Sequence, residues 1–307
     1  MKIPFYGRLL LLSAFFTVGC TSILAYKHKI LVNTYPVPSK IYRDGKELGT
    51  TPCYVKVNRK SKSPLIIKRE GYETKEIPLT PQFNFFIFTN FFFNYGIGIP
   101  IDIITGTHKG FKEKKIVTSI TPIEETKQSY KVNSFIPVEN SDEYNFYNLK
   151  SKLRINDFKN KELKKGLKNL MFGATTNSNF LCQYIIKDTT VQVQIVSIFY
   201  KQYSFYRKSG GTSFLIHEQQ HYNITEVFSR KLRKTLLNTT FTKNNIEVVL
   251  NKICFSTYKE LVAFQAEYDN SVYSKPLKQK EWNKKVENLL NEYAQYQDIN
   301  LSFHLSN

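Results

Sequence analysis

Two histidines four residues apart, His217 and His221, enclose Glu218-Gln219-Gln220. On a helix, side chains at i and i+4 stand one above the other on one face, so both imidazoles can reach a single cation. A glutamate beside the first ligand is placed to take a proton from a water on that cation. These residue types point to hydrolysis by metal-activated water, with Zn²⁺ as the ion and Glu218 as the general base. A catalytic zinc takes three protein ligands and keeps a fourth position open, so one more donor is needed. Glu226 lies nine residues past His217 and faces roughly the opposite side of the helix. Glu260, Glu267 and Asp269, on the next expected helix, are better placed.

The elements that must position these residues are readable from periodicity. Apolar and polar residues alternate over 180–186 and 191–199 around Asp188-Thr189, which predicts a pair of strands. A turn at Gly210-Gly211 leads into the motif helix, expected over 212–237. It turns Phe214, Leu215, Val227, Phe228, Leu232 and Leu236 inward, with Arg230, Lys231, Arg233 and Lys234 outward. A second helix is expected over 244–269, broken near Cys254-Phe255-Ser256, and a third over 278–297. His304 reads as part of a polar tail. Strands followed by helices make residues 150–307 a domain of the α+β class.

The N-terminus predicts export. Lys2 and Arg8 precede an apolar run at 9–16 that is too short to span a bilayer, the pattern of a signal peptide over residues 1–19. Thr17-Val18-Gly19-Cys20 resembles a bacterial lipobox, which implies that Cys20 is acylated and anchors the chain to a lipid bilayer. The other cysteines, Cys53, Cys182 and Cys254, lack metal-site spacing.

Residues 20–81 read as a small β module. Strands at 29–34, 39–43, 54–57 and 65–68 surround a hairpin signal at Asp44-Gly45, with Gly49-Thr50-Thr51-Pro52 and Gly71-Tyr72 in turns. This order resembles the PEGA module, a small β-sandwich of bacterial surface and envelope proteins. That resemblance implies a spacer or a contact with envelope components, and no catalysis. Residues 82–110 are apolar and broken by Gly96, Gly98 and Pro100, which suggests a membrane-associated segment, with 83–106 as its apolar part. Residues 111–149 have little periodicity and read as a linker. The net charge of +19 suits an anionic membrane surface. There is no nucleic-acid-binding motif of spaced aromatics and Arg, so no nucleic-acid partner is expected.

Over residues 150–292 the chain resembles a family of exported bacterial zinc-dependent proteases, zincin-like, of unassigned substrate. The matching residues are Asp157-Phe158, the strand pair, Ser204-Phe205, His217-Glu218-Gln219-Gln220-His221-Tyr222, Glu226, Arg230, Tyr268-Asp269 and Gln279-Lys280-Glu281-Trp282. The match of Tyr268-Asp269 to the family's Tyr-Asp implies Asp269 as the third ligand, with Glu267 or Glu260 as alternatives. Relatives tend to carry a His-Gly downstream of this point. Here Asn270 to Lys275 contain no His. Tyr268 or Tyr273 could hydrogen-bond a developing oxyanion. The expected function is a membrane-anchored zinc metallopeptidase of the cell envelope acting on peptide or protein substrates. The alternative is a zinc-binding or scaffold surface lipoprotein without catalysis.

Overall fold

Ile30, Leu31 and Val32 are buried in succession, so both faces of their strand, β1 (Lys27–Tyr35), are covered. The structure is a computed structural model. It describes residues 27–35, 38–83, 103–104, 108–123, 127–147, 152–160, 174–207, 211–272 and 275–306. The expected signal peptide, Cys20, most of the apolar segment 82–110, and Tyr273 and Ser274 lie outside these residues. The chain divides into two units. One holds the described residues of 1–33, 38–69 and 74–116; the other holds those of 34–37, 70–73 and 117–307.

The elements named in the first unit are strands. After β1 come β2 (Lys40–Arg43), β3 (Lys46–Thr50), β4 (Cys53–Asn58), β5 (Leu65–Lys68), β6 (Lys75–Ile77), β7 (Pro81–Phe83) and β8 (Lys109–Phe111). β1 pairs antiparallel with β4, β7 with β8, and a four-stranded sheet runs β3-β2-β5-β6. Asp44 and Gly45 join β2 to β3 with φ of 51° and 73°. Positive φ at both central residues is the two-residue turn whose twist matches a hairpin, and Gly at the second position adopts it without strain. Arg43 is buried and donates to the carbonyls of Asn58, Ser61 and Ser63.

The second unit packs helices on a sheet. β9 (Lys115–Ser119) leads into it, followed by β10 (Ser129–Lys131), β11 (Tyr144–Phe146), β12 (Ala174–Thr175), β13 (Ser178–Lys187), β14 (Thr190–Tyr200) and β15 (Phe205–Tyr206). Then come α1 (Gly211–Leu237), α2 (Ile246–Val272), α3 (Pro276–Glu292) and β16 (Asn300–His304). The expected strand pair is the centre of the sheet, with Ser178 opposite Phe199 and Lys187 opposite Thr190 across the Asp188 turn. The order is β10-β13-β14-β11, and β16 pairs with the other half of β14. The fold is α+β, a β-rich N-terminal part followed by a part with three long helices.

The structure departs from the sequence reading at five places, one of them Phe214, expected inward on α1 and exposed in the structure. Residues 111–149 are not simply a linker: they supply β9, β10 and β11, of which β10 and β11 join the sheet of the second unit. Strands of three to five residues are too short to display a period. α2 continues unbroken through Cys254, whose side chain is fully buried in the core. His304 is not in a tail but in β16, opposite Thr190. Arg230 and Arg233 do not face outward. They are 3% and 0% exposed, because α1 lies between the sheet and the other helices and is covered on most sides. Glu226 meets them there, its Oε1 2.9 Å from Arg230 Nε and 3.0 Å from Arg233 Nη1, and Ser197 Oγ donates to Oε2. Desolvated charges of this kind are tolerated only when paired and hydrogen-bonded. No described helix is long and apolar enough to cross a membrane.

Candidate metal centre

The motif spans the second and third turns of α1, and the helix aligns its two histidines as the i, i+4 spacing requires. His217 Nε2 and His221 Nε2 are 3.1 Å apart. Asp269, near the end of α2, brings Oδ1 to 2.9 Å from His217 Nε2 and 3.3 Å from His221 Nε2. These three atoms form the single cluster of potential metal donors among the described residues. A tetrahedral ion with arms of about 2.0–2.1 Å has donor–donor edges of about 3.3 Å. The three separations are close to that figure. Two imidazole nitrogens and one carboxylate oxygen also suit a divalent cation of intermediate softness. The donor set therefore fits such an ion.

Glu260 and Glu267, the other acids considered on α2, stand away from the two histidines for a geometric reason. At about 100° per residue, Glu260 and Glu267 lie within roughly 20° of one another and on nearly the opposite side from Asp269. Both point outward, Glu260 paired with Lys231 and Glu267 with Lys285 at 3.5 Å. Glu226, on the far side of α1, serves the buried arginines.

Each imidazole is held from behind by a glutamine. His217 Nδ1 is 3.2 Å from Gln279 Oε1 on α3, and His221 Nδ1 bonds Gln265 Oε1 on α2. With Nδ1–H donating to a carbonyl, Nε2 is left facing Asp269, and once deprotonated its lone pair would be directed at a cation there. This is how outer partners fix the tautomer and orientation of a ligating histidine. The Tyr268 ring stacks on His217, with centroids 4.8 Å apart and planes 19° apart, and meets His221 edge-on. Its hydroxyl donates to His217 O at 3.2 Å and is bridged to Gln279, so Tyr268 braces the first histidine. His217 is the open side of the centre, at 22% side-chain exposure, whereas His221 is 3% exposed.

Glu218 is buried at 3% exposure, and its Oε2 has no hydrogen-bond partner among the described residues. The Thr176 hydroxyl bonds its backbone carbonyl at 3.4 Å. Burial raises the Glu218 carboxyl above its ordinary value, against the pull of His217 and His221. Asp269 goes the other way. Burial pushes it up, but His221 and His217 outweigh that and hold it well below the carboxylate range. For His217, burial pushes down and the Asp269 hydrogen bond and charge prevail, raising it to about 9.

Gln265, Gln279 and Tyr35 were not assigned roles from sequence. Gln265 stands four residues before Asp269, which places both on one face of α2 and is a readable signal. Gln279 lies in the Gln-x-x-Trp run, and Trp282 packs on Tyr268 with centroids 5.4 Å apart. Tyr35, at the end of β1, counts with the second unit. Its hydroxyl donates to Asp269 Oδ2 at 2.8 Å and lies 3.2 Å from His221 Nε2. Nothing local in the sequence marks it.

Residues 28–88 match the PEGA domain. This agrees with the β module read from the sequence and extends a few residues past its expected end. No curated protein and no solved structure matches the chain significantly.

Proposed function

We propose that the second unit is a zincin-like, zinc-dependent peptidase domain, carried on an exported lipoprotein that Cys20 anchors to a membrane of the cell envelope. The observation that supports it most is the convergence of His217 Nε2, His221 Nε2 and Asp269 Oδ1 beside a buried glutamate with an oxygen unpartnered among the described residues. His217, His221 and Asp269 would hold Zn²⁺. When bound there, the ion supplies Lewis acidity toward a substrate carbonyl and lowers the pKa of a coordinated water. Glu218 accepts the proton of the attacking water and returns it to the leaving amine. Its burial, which raises its proton affinity, suits it to both halves of that exchange. Gln265 and Gln279 keep the imidazoles oriented throughout, and the more exposed His217 side admits the peptide. The PEGA module acts as a spacer or an envelope contact, and the basic surface favours anionic lipid.

Zinc content of the purified full chain tests the metal: one ion per chain is expected, lost in His217→Ala. Peptidase activity abolished in Glu218→Gln with zinc retained would establish catalysis. Zinc uptake with no peptidase activity in the wild-type chain would favour the scaffold reading instead.

A further inference from the structure

Resting on the zinc reading above, we infer that Tyr35 is a positioning residue of the metal centre: its hydroxyl holds Oδ2 of Asp269, so that Oδ1 alone is presented to the two histidines. The 2.8 Å bond from Tyr35 to Oδ2 and the approaches of His217 and His221 to Oδ1 divide the carboxylate between two sets of partners. A carboxylate tied this way binds an ion through one oxygen and leaves a position open for water.

The phenol is held for this task. Its ring lies 5.5 Å from the His221 ring at 35° and packs against the core of the second unit. Its carbonyl accepts from Ile120 N at 2.9 Å. The short stretch around Tyr72 is anchored to the same unit, with Tyr72 Oη 2.8 Å from Tyr258 Oη and Gly71 O accepting from Ile123 N. Tyr35 nonetheless falls within residues 28–88, the stretch that matches the PEGA domain. The metal centre is therefore not contained in residues 150–307. A segment of the β module's own sequence supplies one of its supports, and loss of that support weakens the centre without touching a ligand.

The test is zinc affinity of the full chain, read by competition with a chromophoric chelator, for wild type, Tyr35→Phe and Tyr72→Phe. Tyr35→Phe is expected to bind one zinc with a Kd about 10–100-fold weaker, the range for loss of an outer-shell partner. Tyr72→Phe, which also loses one tyrosine hydroxyl bond in this unit but not at the centre, is expected to match wild type. An unchanged Kd in Tyr35→Phe, or equal weakening in both variants, overturns the inference while the zinc reading stands. Failure of the wild-type chain to take up zinc overturns both.

Discussion

Gln265 grips His221 at two points: its Oε1 accepts from the ring Nδ1, and its Nε2 donates to the His221 carbonyl at 2.9 Å. One side chain of α2 thus fixes both the ring and the backbone of a residue on α1, one turn before α2 presents Asp269. Replacing it with Leu keeps the volume and removes both bonds. Zinc affinity of Gln265→Leu should fall about 10–100-fold, as measured by chelator competition.

The Glu226 cluster lies on the far side of α1 from the two histidines, so its loss is expected to cost stability and leave the metal centre in place. Glu226→Gln leaves Arg230 and Arg233 buried without their counter-charge, a loss on the order of 3–5 kcal/mol. Thermal unfolding should shift down by about 10 °C, while zinc affinity stays at the wild-type value.

Protonation of the metal-free centre gives a signed pH dependence. His217 is raised from 6.5 to about 9, so its pairing stabilises the fold fully below pH 6.5 and is lost as pH rises through about 9. Asp269 is lowered, so its contribution is present above 3.8 and lost as pH falls further. The metal-free chain should therefore lose denaturant stability between pH 6.5 and 9, and Asp269→Asn should flatten that limb. Zinc uptake at pH 7 should release a proton, measurable in weakly buffered solution, because His217 must give up its Nε2 proton to bind.

Glu218 is a buried acid whose Oε2 has no partner among the described residues, an arrangement that costs stability. On the proposed peptidase reading, Glu218→Gln should lower turnover by about 10²–10⁴-fold. It should retain stoichiometric zinc and melt no lower than wild type in the metal-free state. A drop in melting temperature comparable to that of Glu226→Gln would count against this role.

Local sequence determined the elements on which the centre is built. The i, i+4 histidines define a face of α1 by helical pitch alone, and period-2 alternation marks β13 and β14 because each has a consistently buried face. The Asp44-Gly45 turn is legible for the same reason: positive φ restricts which residues can occupy it. Three things required the packed chain. That Asp269, and not Glu260 or Glu267, meets the two histidines depends on which face of α2 meets α1, and all three are acids on one helix. The inward placement of Arg230 and Arg233 depends on α1 being covered on several sides, which no single-helix pattern encodes. Tyr35 lies 234 residues from the carboxylate it bonds. A contact between residues so far apart along the chain is created by folding, and propensity and periodicity reach only a few residues along the backbone.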